Sequence, residues 1–268
     1  DTLLLLEALR DLGAEITIGE GEFHVIGTGG RISPLHKGRE ISLGNNGTAM
    51  RLLISIAALG KGEYVLTGGR RLCERPVQPL IDALGQLGGN AESLASNGCP
   101  PVLVRGEGIR GGTAVLKNIE SSQFVSSLLI AAPFADADVE IEVRGEIPSR
   151  PYVDLTVQAM EVFGVKVLEK PHGYAVKTGR KYSARDYQIE GDASSASYFF
   201  AAAALCGGRV RVANINPETR QGDIGMLGIL EQMGCLIKKK DYGVEVEGGD
   251  LTGGYLSFDM GDMPDVVP

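Results

Sequence analysis

Apolar residues recur at helical spacing in four stretches, LLEALRDLGAEITI, LIDALGQLGGNAESL, TVQAMEVFGVKVLEK and LGILEQMGCLIKKK. Each stretch predicts one apolar helix face, a glycine where the helix stops, and an alternating strand after it. The glycines are Gly13, Gly88, Gly164 and Gly234, at separations of 75, 76 and 70 residues, and such regularity marks an internal repeat. Between them lie three stretches that are apolar nearly all round, TAMRLLISIAALG, SQFVSSLLIAAPFA and SASYFFAAAALCGG. Each leads into a strand, EYVLTG, VEIEVRG or RVRVAN. A helix with no polar face is expected to be buried. The pattern therefore predicts a module of strand, buried helix, strand, surface helix and closing strands, and an α/β architecture assembled from copies of it.

The ends of the chain break the pattern. The first copy opens on its surface helix, residues 1–12, and the last residues, GDMPDVVP, fall where another buried helix is expected. The chain reads as a piece of a longer one, truncated at both ends; degenerate terminal repeats are the alternative.

Length and charge narrow the function. At 268 residues the chain has room for two domains and a sizeable core. A net charge of −8 with no long run of Lys or Arg argues against a nucleic-acid coat protein, so any anionic ligand must be held by local groups. Cys73, Cys99, Cys206 and Cys235 form no CxxC pair and stand near no His cluster, which fits structural thiols in a reducing, cytoplasmic compartment and argues against a metal site. His24, His36 and His172 are scattered singly and are expected on the surface or in loops. No stretch is long and apolar enough to span a bilayer, and no basic leader precedes an apolar segment at the start.

Candidate chemistry clusters where the buried helices begin. LGNNGTAMRLL places Gly44 and Gly47 around Asn45 and Asn46, then Thr48 and Arg51. Glycines admit close backbone approach, and the first N–H groups of a helix have no intrahelical partner, so such a turn either holds an anion or is capped by Asn. ESSQ supplies Ser121, Ser122 and Gln123, donors suited to a phosphate, with helix capping as the equally local reading. GDASSAS reads as a cap or a domain junction. ERPVQPL offers Arg75 ahead of Pro76, which is expected at the first position of a helix. PSRPYVDL repeats the scheme with Ser149, Arg150, Tyr152 and Asp154. A guanidinium at such a turn forks onto a carboxylate or phosphate. GDMPD adds Asp262 and Asp265, ordinarily caps, but a candidate general base in a site lined for anions.

Taken in order, LGNNGTAMR, CERPVQPLIDAL, SSQF, SRPYVDLT, EGDASSASYF, QGDI and MPD resemble the motifs of the bacterial 5-enolpyruvylshikimate-3-phosphate synthases, the 3-phosphoshikimate 1-carboxyvinyltransferases, along the whole chain. The resemblance implies two domains of βαβαββ modules, the inside-out α/β barrel of enolpyruvyl transferases, here incomplete. The first domain would run over 1–190, with a truncated first module and two full ones, and residues 191–268 would be part of the second. It implies transfer of the enolpyruvyl group of phosphoenolpyruvate to the 5-hydroxyl of shikimate 3-phosphate with release of phosphate, in aromatic amino-acid biosynthesis. No metal or organic cofactor, nucleic acid or membrane is implied, and the family is usually monomeric. Carried over residue by residue, Ser121, Ser122 and Ser149 resemble the hydroxyls on the shikimate phosphate. Gln123 and Tyr152 resemble groups that position its ring. Gly47, Arg75 and Gln123 match the phosphoenolpyruvate site, with Asn45, Thr48 and Arg51 supporting its loop. Asp265 matches the acid that grips the ring hydroxyls and takes the 5-hydroxyl proton. Arg51 and Asp192 either pair near the domain junction or lie apart on the surface.

The chain departs from the pattern in two ways. Leu52 stands where one well-known pattern, GTAMRP, has a proline, which leaves binding of the inhibitor glyphosate open. The family's opening LPGSKS-type segment and its later Lys, Glu and Arg residues have no counterpart here. Charge-assisted contacts contribute about 1.5–3 kcal/mol each, and a micromolar ligand has only about 8 kcal/mol in all. The isolated chain is therefore expected to bind weakly and to turn over nothing detectable. Two rival readings stand beside this one. The first is the sister transferase acting on UDP-N-acetylglucosamine, which resembles a Cys with a longer loop before ArgPro, whereas Cys73 sits two residues ahead of Arg75. The second is a noncatalytic fragment of the synthase.

Overall fold

The four helix-stopping glycines take up left-handed backbone, with φ of +106° at Gly13, +83° at Gly88, +91° at Gly164 and +104° at Gly234, in a computed structural model that describes residues 2–35, 39–240, 243–252 and 256–267. Each closes a Schellman motif, in which the glycine N–H donates to the carbonyl three residues back and the next N–H to the carbonyl five back. The pairs are Gly13 to Arg10 with Ala14 to Leu9, Gly88 to Gly85 with Gly89 to Leu84, Gly164 to Glu161 with Val165 to Met160, and Gly234 to Glu231 with Cys235 to Leu230. The carbonyl just before each glycine then accepts from a returning segment, through the N–H of Ser33, Arg110, Ser183 and Thr252 in turn. The sequence repeat is thus a repeat of hydrogen bonds.

The chain divides into two compact units, one of Asp1–Ile147 with Thr156–Ala184 and one of Pro148–Leu155 with Arg185–Pro268. The first unit opens with a short copy, α1 (Thr2–Asp11) and an antiparallel hairpin of β1 (Glu15–Ile18) and β2 (Phe23–Ile26). The second copy is β3 (Glu40–Ser42), α2 (Gly47–Ala58), β4 (Gly62–Thr67), α3 (Gln78–Gln86), β5 (Asn90–Ser93) and β6 (Val102–Gly106). The third is β7 (Gly112–Lys117), α4 (Gln123–Ala131), β8 (Val139–Arg144), α5 (Pro151–Val162), β9 (Val167–Lys170) and β10 (Gly173–Val176), with the start of α5 grouped in the second unit. Both complete copies have the βαβαββ order and one sheet topology, β3-β4-β6-β5 and β7-β8-β10-β9. The first pair in each is parallel and the others antiparallel.

The helices α2 and α4 are buried as their composition predicts, and they pack on each other. Their shared face carries two fully buried serines. The Oγ atoms of Ser55 and Ser127 lie 2.7 Å apart, and Ser127 donates to the Arg51 carbonyl at 2.6 Å. Hydroxyls buried in an apolar core must find partners, so this pairing fixes the rotation of the two helices about their axes. Their N-termini are thereby held side by side.

The second unit holds α6 (Ala193–Cys206), β11 (Arg209–Ala213), α7 (Met226–Gln232), β12 (Leu236–Lys240) and β13 (Gly243–Glu247), the strands antiparallel in the order β11-β13-β12. Two expectations change here. No strand precedes α6, since residues 177–192 are irregular. And α6 is buried on one side only: Ala196, Phe200, Ala203 and Ala204 pack on Leu227, Leu230, Val244 and Val246, while Tyr198, Phe199 and Leu205 are 72%, 59% and 77% exposed. An apolar helix needs a partner on each side to be buried all round, and among the described residues only one side of α6 has one.

Elsewhere, His24 and His172 are exposed, and His36 lies outside the described residues. All four thiols are free, with only Cys235 buried. Among the described residues no helix is long and apolar enough to cross a membrane.

Candidate functional site

The turn before α2 is shaped by close backbone contacts that only glycine permits. Gly44 is left-handed at φ +56°, and its carbonyl accepts from the Gly69 N–H at 2.7 Å. A Cβ at Gly68 would stand 2.4 Å from that carbonyl oxygen, and one at Gly69 2.8 Å from Asn45 Oδ1. Asn46 caps the helix, its Oδ1 accepting from the Ala49 N–H at 2.9 Å. Of the two asparagines, then, the second is the cap, while exposed Asn45 packs its amide over Gly69.

Gly47 is buried at the first position of α2, and the side chain of Arg75 lies across it: a Cβ there would be 2.5 Å from Arg75 Nη1. Arg75 itself is exposed and ends the 3₁₀ turn Leu72–Glu74. The proline expectation is corrected here. Because α3 begins at Gln78 with Val77 as N-cap, Pro79 occupies its first turn and Pro76 lies outside the helix. Leu52 sits in the second turn of α2, half-buried.

Arg51 is the centre of this cluster. Its Nη1 donates to Ser121 Oγ at 3.0 Å and to Gln123 Oε1 at 2.9 Å, its Nη2 to the Pro76 carbonyl at 3.3 Å, and its guanidinium carbon lies 5.0 Å from the centre of the Phe124 ring. A guanidinium only donates, so the Gln123 oxygen must face it and the Gln123 NH₂ turns to Thr48 Oγ1, at 2.9 Å. Ser121 Oγ also accepts from the Gln123 N–H at 3.3 Å. With both lone pairs engaged, its one proton is left to donate outward. Ser122, buried at the N-cap position of α4, makes no side-chain cap bond. Burial, then the charge of Arg75, lower the affinity of Arg51 for its proton, against the opposing pull of Glu120. Two guanidinium groups held within mutual influence favour an anion near them. The Nε of Arg51 is buried without a hydrogen-bond partner among the described residues. Asp192, which belongs to the second unit, caps α6, its carboxylate accepting from the N–H groups of Ser194 and Ser195.

The second unit gathers Ser149, Tyr152 and Asp265 of the expected residues. Ser149 is left-handed at φ +51°, and its carbonyl accepts from the Tyr152 N–H at 3.1 Å, which starts α5 beneath it. The Tyr152 hydroxyl donates to Asp223 Oδ2 at 3.0 Å and stands 3.5 Å from Oδ2 of Asp265. Asp265 is exposed, on the 3₁₀ turn Pro264–Val266. Burial and the neighbouring charge of Asp223 push the Tyr152 phenol well above its ordinary range, so it stays protonated. The sequence reading missed Asp223 and Ser194, although QGDI and GDASSAS contain them. Asp223 is 2% exposed and also accepts from the Ser194 hydroxyl.

Comparison with known proteins gives one family. The model of "EPSP synthase (3-phosphoshikimate 1-carboxyvinyltransferase)" matches residues 1–268. The chain is 44% identical over its whole length to the 3-phosphoshikimate 1-carboxyvinyltransferase of Methanoculleus marisnigri and 42% identical to that of a Sulfurovum species, spanning 63% of the length of each. Among solved structures, EPSP synthase from Acinetobacter baumannii superimposes with a TM-score of 0.78 at 26% identity, over 95% of this chain and 58% of that one.

Proposed function

Because the chain belongs to the EPSP synthase family, we propose that it carries the shikimate 3-phosphate and phosphoenolpyruvate groups of a carboxyvinyltransferase, and that the longer protein joins the two substrates and releases phosphate. The observation that carries this reading is the Arg51 network. It presents the outward proton of Ser121, the amide of Gln123 and the N-terminus of α2 beside a second guanidinium, Arg75. These groups are donors throughout, as a bound anion requires.

In this reading Ser121, Ser122 and Ser149 hold the shikimate phosphate, and Gln123 and Tyr152 orient the ring. Arg75 and the backbone at Gly47 take phosphoenolpyruvate. Asp265 accepts the proton of the 5-hydroxyl as that oxygen attacks the enol carbon and the enol methylene gains a proton; loss of phosphate from that carbon together with a proton from the new methyl group then restores the double bond. Fixed donors stabilise the charge on both substrates without reorganising during reaction. No step calls for a metal or organic cofactor. The domain division follows the modules, 1–190 and 191–268, and the protein acts as a cytoplasmic monomer, to which four free thiols are suited.

The test is ³¹P NMR of ligand with the chain. Shikimate 3-phosphate broadens on addition of the protein and sharpens again with Ser121→Ala/Ser122→Ala, whereas UDP-N-acetylglucosamine is unaffected. Broadening of the UDP-sugar that shikimate 3-phosphate cannot reverse would transfer the assignment to the sister transferase.

A further inference from the structure

The 3₁₀ turn Gly222–Gly225 touches every part of the second unit that bears an expected site residue. A Cβ at Gly222 would be 2.0 Å from the Asp262 carbonyl oxygen and 3.3 Å from Pro151 Cγ, and one at Gly225 would be 3.2 Å from Met263 Sδ. The turn is therefore pressed against both the start of α5 and the segment that leads to Asp265. Just before it, Gln221 accepts from the Ala193 N–H at 2.7 Å and donates to the Gly191 carbonyl at 2.8 Å, which fixes the start of α6 and with it Ser194.

In the middle of this turn stands Asp223. One carboxylate oxygen accepts from Tyr152 and Ser194; the other, Oδ1, is buried with no hydrogen-bond partner among the described residues. A buried, half-satisfied carboxylate is costly, and a residue kept only for packing has no reason to be one. The phenol of Tyr152 has a single proton and two carboxylates within reach, Asp223 at 3.0 Å and Asp265 at 3.5 Å. The nearer acceptor takes it.

We propose that Asp223 is a positioning residue that keeps the Tyr152 proton off Asp265, leaving the Asp265 carboxylate unencumbered to receive a proton from substrate. The proposal rests on the reading of Asp265 given above for its functional meaning, though not for its test. The Tyr152 phenol stands within reach of Asp265, and the Pro264–Val266 turn that carries Asp265 packs on α6 and on the Gly222–Gly225 turn.

The experiment is a double-substitution cycle read by the ¹³Cγ resonance of Asp265 in aspartate-labelled chain at pH 7, with no substrate present. Tyr152→Phe alone leaves the resonance in place, because Asp265 does not hold the phenol proton. Asp223→Asn makes the amide a weaker acceptor than the Asp265 carboxylate, so the proton moves across and the resonance shifts. Adding Tyr152→Phe to Asp223→Asn returns it. Asp223→Ala, in the same cycle, repeats the test without an amide. Equal shifts from Asp223→Asn with and without the phenol, or a shift of the same size from Tyr152→Phe alone, overturn the proposal. If the cycle behaves as expected but shikimate 3-phosphate does not bind, the functional reading fails and the positioning role stands.

Discussion

The guanidinium of Arg75 lies directly over Gly47, so close that a β-carbon on that residue would stand 2.5 Å from Nη1. Gly47→Ala therefore separates binding from stability. Alanine favours a helix over glycine by up to about 1 kcal/mol, so the thermal midpoint holds or rises. Arg75 must move, and affinity for phosphoenolpyruvate falls at least about tenfold, the equivalent of about 1.4 kcal/mol. Calorimetry beside a melting curve checks both halves; unchanged affinity would show that Arg75 takes no part.

Arg51→Lys keeps the charge and loses the fork. An ammonium on a flexible stem cannot hold Ser121, Gln123 and the Pro76 carbonyl together. Shikimate 3-phosphate binding is expected to weaken by about 1.5–3 kcal/mol, with phosphoenolpyruvate affected through Gln123. Full retention of affinity in titration would remove Arg51 from the site.

The Schellman glycines make a stability prediction. At Gly88 a side chain meets both a left-handed φ of +83° and Arg110 Cγ at 2.7 Å. Gly88→Ala is expected to cost about 1–2 kcal/mol from the backbone conformation alone, read by urea denaturation. Gly85→Ala, three residues earlier on α3 with open space at its Cβ, serves as the comparison and is expected to hold or raise stability.

One ion pair makes the stability of the first unit pH-dependent. Asp138 is held below the usual carboxylate range by its hydrogen bond from Lys177, at 2.6 Å, and by the Thr178 N–H. A depressed folded-state pKa contributes stability above the unfolded value, near about 3.9, and loses it as pH falls through the folded value. Asp138→Asn should thus be less stable than the parent at pH 7, and the difference should shrink as the pH falls below about 4 and vanish once the pH is below the folded value. A difference that persists in acid would locate the effect elsewhere.

Much of this architecture was legible in the sequence because its signals are local. Gly13, Gly88, Gly164 and Gly234 sit where a helix must stop, and the same hydrogen bonds recur at each. The apolar wrap of α2 and α4 forecast their burial. That inference failed for α6, whose composition is the same, because burial depends on what packs against a helix as well as on the helix itself. Pro76 misled for a related reason: the 3₁₀ turn Leu72–Glu74 and the N-cap at Val77 delay α3 until Gln78. The hydrogen bonds of Arg51 and Asp223 were not legible because their partners are 70–72 and 71 residues away in sequence, and hydrogen bonds over that distance leave no periodic trace.

The central claim is that Arg51 and the α4 N-terminus form an assembled phosphate site in the first unit. Isothermal titration of shikimate 3-phosphate into the chain, beside Ser121→Ala/Ser122→Ala, tests it most directly. The structure leads us to expect a saturable heat that is lost in the double variant at equal folded content. The same binding curve in both proteins would contradict the claim.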